Sequence, residues 1–441
     1  MTSTPFHIAV IGAGPAGLFA ARELARAGNL VSLFNRDIKP GGLAEYGIYP
    51  SKLSMKTGLR NQFRQILEIP EIRYLGNLSI GANGDLPLDE LRSYRFDAFV
   101  VTVGAQATKS LGLPGEDLPG VIHAKDLVYH YNGLPGFVER QFEFGERAAI
   151  VGAGNVMMDI ARYLIQVKRL REVTALVRRG PFEVKFDKKE MESVILNLDL
   201  IHLDRELARV APLVSPFEQD VSEAKQHLLQ SLPNAEPSRS NTRFRLRFFV
   251  SPAEMQGDAK LESLNLELNQ PVPKGDSLGA RGSGEFEKME VDSVIFAIGD
   301  KVDEGFGLPL QGGEYAKNPL PRFPMENISF EAFDPASGAP MEGVFLAGWA
   351  RQASTGLVGY ARKDGTLCAR AVLEYLAEKN PNNFDMSGFD TRIKNCRKCV
   401  VGNRDVLNLM MIEDGISTER EMPGFKFTSN SEMLEQIKSI G

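Results

Sequence analysis

The sequence predicts an α/β protein with two dinucleotide-binding (Rossmann-like) domains, the second inserted into the first. Two glycine fingerprints carry this reading, Gly12-Ala-Gly14-Pro15-Ala16-Gly17 and Gly152-Ala-Gly154-Asn155-Val156, 140 positions apart from Gly12 to Gly152. Each follows a short β-branched apolar run, as a buried parallel strand should. A third observation gives the order of the halves. Two further apolar runs end in glycine, Asp97 to Gly104-Ala105 and Val291 to Gly299-Asp300. Each closes a nucleotide-binding half, the first begun at position 6 and the second at 147, so the second domain interrupts the first. The expected boundaries are 1–105, 106–302 and 303–441.

The elements follow in order. The first unit reads strand 6–11, helix 15–28 and strand 30–34. The residue ending that second strand meets the adenosine ribose in a dinucleotide fold, where an acid holds the hydroxyls. Here it is Asn35, which accepts a hydrogen bond but carries no charge, and the nearest acid is Asp37. Pro40-Gly41-Gly42-Leu43 through Tyr46-Gly47 to Lys52 is too glycine-rich for a regular element. It is either a surface loop or backbone passing flat against a cofactor ring, where side chains would collide. Residues 212–242, rich in Pro, Ser and Asn, form the least regular stretch. After Gly348-Trp349 a helix is expected from about Thr355 to Leu376. Backbone N–H groups of Gly356 and Leu357 at its start are placed to stabilise an anion.

Composition narrows the function class. Length gives a soft expectation of about three domains of roughly 150 residues each. With 43% hydrophobic and 24% charged residues the chain has enough apolar side chains for ordinary cores. A formal net charge of −6 argues against a nucleic-acid binder. No apolar run approaches the length of a membrane span, so no membrane insertion is expected. The first strand begins by Phe6, which leaves no room for a leader, and three cysteines suit a reducing compartment. The expectation is a cytoplasmic enzyme.

Gly41-Gly42-Leu43 with Tyr46-Gly47-Ile48 and Pro50 resembles the flavin loop of adrenodoxin-reductase-type ferredoxin–NADP reductases. Glutamate synthase small subunits carry a similar loop, but they begin with a cysteine-rich segment that this chain lacks. Other stretches favour the reductases: Leu118-Pro-Gly-Val121 with Tyr131-Asn-Gly-Leu-Pro135, Arg178-Arg179-Gly180-Pro181 with Phe186 and Glu190, Leu246-Arg-Phe-Phe249 with Ser251-Pro252, and Gly348-Trp349 with Thr355-Gly356. The resemblance covers nearly the whole chain and is looser at 205–242 and 385–425. It implies FAD in the domain formed by 1–105 and 303–441, and NADPH in the inserted domain 106–302. Hydride passes from NADPH to the flavin, and electrons leave singly to a ferredoxin-like iron–sulfur protein.

The residues fit that scheme in several places. For FAD the candidates are Gly12, Gly14, Pro15, Ala16, Gly17, Asn35, Gly42, Leu43, Tyr46, Gly104, Gly348, Trp349, Gly356 and Leu357. For NADPH they are Gly152, Gly154, Asn155, Val156, Arg178, Arg179 and Glu190. Arg178 and Arg179 follow strand 173–177, where an acid would select NAD and arginines accept the extra phosphate of NADP. Asp159 orders the first turns of its helix. Trp349, the only tryptophan, packs beside the flavin or the nicotinamide, or is an ordinary core aromatic. The family carries a histidine two residues after the loop proline, paired with a glutamate. Lys52 stands at the histidine position and Ser193 at the glutamate, with Glu190 and Glu192 nearby. Lys52 and Trp349 are thus the candidate catalytic residues.

A transient, electrostatic partner of acidic surface needs a basic face on this chain. Candidates are Lys185, Lys188 and Lys189, with Arg239 and the alternating Arg243, Arg245 and Arg247 on one face of a strand. Cys396-Arg-Lys-Cys399 stands outside the resemblance. It lacks the second pair of a zinc site, and it is either a redox disulfide fed by the flavin or two ordinary thiols. The first alternative would make the chain an NADPH-dependent disulfide reductase. A third reading is an electron-input flavoprotein subunit of a larger complex. Cys368, inside a helix, is expected to be packing.

Overall fold

The computed structural model describes residues 4–275, 277–353 and 358–440. The chain divides into two compact units. The first contains Met1–Thr108, Tyr129–Val138 and Gly299–Gly441, and the second Lys109–Val128 and Glu139–Ile298. The ten-residue segment Tyr129–Val138 thus packs with the first unit, although the chain around it belongs to the second.

The first unit is built on a six-stranded sheet. Its spatial order is Glu331–Asp334, Ala339–Leu346, Ala98–Val101, His7–Ile11, Leu30–Phe34 and Ile72–Leu75. All neighbours pair in parallel except the first two, which form an antiparallel edge. The order places the opening strand in the middle, flanked by two strands that arrive after crossovers, as a doubly wound sheet requires. Helices Pro15–Arg26 and Val358–Ala377 pack together on one face, around Leu18, Phe19, Leu367 and Cys368. Cys368 is fully buried, and burial pushes its thiol well above the ordinary value.

The second unit holds a five-stranded, all-parallel sheet in the order Val121–His123, Ser293–Phe296, Arg147–Val151, Glu172–Val177 and Arg243–Phe248. Three antiparallel strands, Val250–Gln256, Ser263–Lys274 and Ser277–Glu290, form a second layer. Val250, Leu264 and Leu266 of that layer pack with Ala149, Val151, Val294 and Phe296.

Two expectations change. Residues 212–242 are more regular than their composition suggests, because helix Val221–Leu229 lies within them. Asp220 caps it by accepting from the Ser222 N–H, and Ala224 and Leu228 are buried. The glycine-rich segment also contains a single helical turn, Leu43–Tyr46, whose Ala44, Glu45 and Tyr46 are buried. Tertiary packing outweighs local composition at both places.

Candidate functional site

In each unit the glycine fingerprint turns from the central strand into a helix. A Cβ on Gly12 would stand 2.5 Å from the Thr102 carbonyl oxygen, and one on Gly17 would overlap the Gly12 carbonyl. These two glycines therefore allow strand, turn and helix to touch. Gly14 differs: nothing lies within 4 Å of where its Cβ would be. The helix that follows has Pro15 at its start, no side-chain cap and no acid in its first turn. Its first N–H groups are left for an anion.

The second fingerprint repeats the arrangement. A Cβ on Gly152 would meet the Ala297 carbonyl at 2.5 Å, while Gly154 faces open space. Helix Asn155–Arg162 begins with no side-chain cap and no acid in its first turn. Val156 is exposed there. Asn155 uses its side chain within the protein, donating to Asp187 at 2.7 Å and accepting the Asp187 N–H at 2.8 Å. It fixes the loop before Lys188–Met191 against the turn. Both turns suit a diphosphate: an open glycine beside uncapped N–H groups is what such a group needs.

Asn35 is engaged within the protein. Its Oδ1 accepts the Ala13 N–H at 3.2 Å. Its Nδ2 donates to the Asp37 and Lys39 carbonyls, both at 2.9 Å, and lies 3.1 Å from the Tyr74 hydroxyl. With its side chain buried and engaged, it braces the turn. Arg36, half-exposed, instead reaches from this strand end to Gln106 at 3.1 Å.

The Gly41–Gly42 loop lies directly on the first fingerprint. The Gly41 N–H donates to the Ala13 carbonyl at 2.7 Å, and a Cβ on Gly42 would come within 3.3 Å of the Gly14 Cα. Gly42 has φ 49° and ψ −127°, a conformation that glycine alone adopts without strain. Leu43 and Tyr46 follow in the helical turn, and Tyr46 packs with Tyr129 and Leu134. Lys52 precedes helix Leu53–Leu67 and is half-buried. Gly104, with φ 73°, ends the neighbouring strand.

A cluster of buried charges beneath this loop was not legible in the sequence. Lys39 bonds Glu413 at 2.5 Å, and Arg60 grips Glu45 with two hydrogen bonds of 2.5 and 2.7 Å. Lys426 reaches both the Glu45 carboxylate at 3.3 Å and its carbonyl at 3.2 Å. Burial alone would raise the Glu45 carboxyl, but Lys39, Arg60 and Lys426 together hold it well below the usual range. Lys56, one turn into the next helix, donates to Asn132 at 2.6 Å. Burial first, then the Lys426 charge, lowers its ammonium to about 7. The only sequence signal was a lysine and a glutamate on either side of two glycines.

The Gly348–Trp349 turn lies beside the first fingerprint in the first unit. A Cβ on Gly348 would stand 2.7 Å from the Ala16 Cβ, so this turn abuts the first fingerprint helix. Asp364 holds it, accepting the Gly348 N–H at 2.6 Å and pairing with Arg351 at 2.5 Å, both side chains buried. Trp349 is half-buried on this turn. Thr355, Gly356 and Leu357 lie outside the described residues.

In the second unit, Arg178 and Arg179 follow strand Glu172–Val177 as expected. Their backbones are pinned: Asn269 donates to the Arg178 carbonyl at 3.1 Å and the Phe249 N–H to that of Arg179 at 3.0 Å. Among the described residues neither guanidinium has a hydrogen-bond or ion-pair partner. Glu190 lies on the short helix Lys188–Met191, and Ser193 folds back to donate to the Glu190 carbonyl at 2.8 Å. Lys185, Lys188, Lys189 and Arg239 are exposed. The three strand arginines are not a free basic face. Arg245 pairs with Glu172 and Asp199, Arg247 with Glu206 and Glu287, and Arg243 with Glu172. Their alternation is real, but facing carboxylates neutralise it. Cys396 and Cys399 are free thiols, the first half-buried beside the Arg392 guanidinium at 3.2 Å and the second exposed.

Residues 6–197 match the family model described as pyridine nucleotide-disulphide oxidoreductase. The NADPH-ferredoxin reductase FprA of Mycobacterium tuberculosis is 28% identical over 393 residues, covering 82% of each chain. The mitochondrial NADPH:adrenodoxin oxidoreductase of Arabidopsis thaliana is 27% identical over 81% of this chain and 79% of its own. The solved structure of M. tuberculosis FprA in complex with NADPH superposes with a TM-score of 0.80 at 25% identity, covering 99% of this chain and 100% of that one. No described helix is long and apolar enough to cross a membrane.

Proposed function

From the premise that this chain is a homologue of NADPH-ferredoxin reductase and NADPH:adrenodoxin oxidoreductase, we propose that it is an NADPH-dependent FAD flavoprotein reducing a ferredoxin-like iron–sulfur carrier. The observation that carries this is the pair of open glycine turns, one per unit, together with two arginines at the strand end of the second that have no side-chain partner among the described residues. FAD supplies the two-electron to one-electron conversion when bound. The protein's own tasks are holding and orienting.

The first unit receives the FAD diphosphate at Gly14 and the N–H groups of Pro15–Arg26, with Gly41–Tyr46 and Gly348–Trp349 around the ring. Glycines at 41 and 42 let backbone lie flat where a side chain would intrude. The second unit receives the NADPH diphosphate at Gly154. There Arg178 and Arg179 bind the 2′-phosphate through charge-assisted hydrogen bonds. Lys52 and Trp349 contact the reacting rings in this reading, and Lys52 holds a proton-bearing group where the family has histidine. Lys185, Lys188, Lys189 and Arg239 provide the basic docking surface for a transient acidic carrier, and the enzyme works in the cytoplasm.

Anaerobic titration with NADPH tests the whole scheme. Full bleaching of the FAD absorbance by one NADPH per flavin is expected, followed by reoxidation on adding oxidised ferredoxin. Consumption of a second NADPH would mark Cys396 and Cys399 as a further redox centre and favour a disulfide reductase. A flavin that NADPH leaves oxidised would overturn the proposal.

A further inference from the structure

The buried charges under the Gly41–Gly42 loop link that loop to the far end of the chain. Lys39 lies two residues before Gly41 and is 2% exposed at its side chain, as the Glu45 carboxylate is 4% exposed three residues after Gly42. Their partners are remote in sequence. Glu413, on helix Asn403–Glu419, bonds Lys39 and also accepts the Phe427 N–H at 2.9 Å. Lys426 bonds both the carboxylate and the carbonyl of Glu45, with its ammonium 4.6 Å above the centre of the Tyr46 ring. The C-terminal segment therefore grips the loop at both ends, one residue to each side of the two glycines.

The loop conformation needs such a grip. Gly41 and Gly42 both have positive φ, 113° and 49°, and backbone of this kind is the most costly to order on folding. Leaving a buried charge without its partner is costly as well, so each pair strongly prefers the arrangement seen. The cluster is also biased in sign, with Lys39, Arg60 and Lys426 around Glu45 and Glu413. A cationic base under a loop that touches the open Gly14 turn suits an anionic ligand above it.

We propose that the segment Glu413–Phe427 is part of the flavin site. Glu413 and Lys426 act as positioning residues, through Lys39 and Glu45, that hold the Gly41–Gly42 backbone in its cofactor-receiving form. This rests on reading Gly41–Tyr46 as the flavin loop. Neither residue touches the cofactor.

The test is FAD affinity, measured on the full-length protein after reversible removal of the flavin, with the visible circular dichroism of rebound FAD as a second readout. Glu413→Gln and Lys426→Gln are expected to weaken FAD binding about tenfold or more and to change the visible dichroism. Lys426→Arg, which keeps the charge and a donor, is expected to restore both. Folded variants that bind FAD as tightly as the parent, with the same dichroism, would overturn the proposal. Should Glu413→Gln fail to fold, Lys426→Gln decides by the same criteria, since it leaves Glu45 bonded to Arg60. A parent protein that takes up no FAD would overturn the cofactor reading and this proposal together. A parent that binds FAD beside variants that bind it equally well would overturn this proposal alone.

Discussion

Arg178 and Arg179 stand at one strand end of the second unit, with backbones fixed and, among the described residues, guanidiniums without partners. Replacing either with alanine is expected to weaken NADPH about 10- to 100-fold while sparing NADH, the range of a charge-assisted hydrogen bond. Steady-state KM values for both cofactors decide it, and equal losses would remove the assignment. Lys56 makes a second prediction, about pH. Its ammonium is lowered from 10.5 to about 7 by burial and then by Lys426. Between these values the unfolded chain binds a proton that the folded chain does not, so Lys56 makes stability rise with pH through this window and level off below it. Lys426, lowered to about 8 mainly by burial, adds in the same direction. Lys56→Met is expected to flatten the rise in Tm between about pH 7 and 9, and an unchanged slope would contradict it. The position of Arg178 and Arg179 at a strand end was legible because strand, arginines and glycine are contiguous. The bracing of Asn35 was not legible, because its four partners, Ala13, Asp37, Lys39 and Tyr74, come from three separate stretches of chain.

The fingerprint helices and their strands were legible as elements because their glycines and apolar periods act locally. The predicted strand 6–11 is observed as His7–Ile11, and the helix expected from 15 as Pro15–Arg26. What composition could not show is how an element is fastened. Helix Val358–Ala377 is tied to the Gly348–Trp349 turn by Asp364, which serves the Gly348 N–H and Arg351 together. Arg351 also donates to the Tyr360 hydroxyl at 3.3 Å and lies over the Phe330 ring at 5.1 Å. Asp364→Ala is expected to destabilise the protein by about 3–5 kcal/mol, the usual cost of stranding a buried charge. Urea unfolding checks this, and replacing the pair together, Arg351→Met with Asp364→Leu, is expected to recover most of the loss. The strand Arg243–Phe248 carries the same lesson in reverse. Its alternating arginines were legible, but the carboxylates that cancel them arrive from Glu172, Asp199, Glu206 and Glu287.

For the molecule as a whole, formal net charge is a poor guide to docking. The chain carries −6 overall, yet Lys185, Lys188, Lys189 and Arg239 stand exposed in one unit. Carrier reduction is expected to slow steeply as salt rises from about 0.05 to 0.3 M, because the screening length falls below about 10 Å. Lys188→Glu and Lys189→Glu are expected to slow it at low salt, whereas Arg245→Ala lowers stability. A rate indifferent to salt would remove the basic-face assignment.

The interrupted first unit also sets a timetable for making the protein. Its central strand pairs with Ala98–Val101, and that strand pairs in turn with Ala339–Leu346, which leaves the ribosome some 240 codons later. The whole of Glu139–Ile298 is synthesised in between. At roughly 5–20 residues per second the early half-sheet waits on the order of 10–50 seconds with an apolar edge uncovered. The inserted unit can finish folding while its host is still incomplete. Glu413 and Lys426 come later still, so a nascent chain meets the ties of its Gly41–Gly42 loop after the strands of both units.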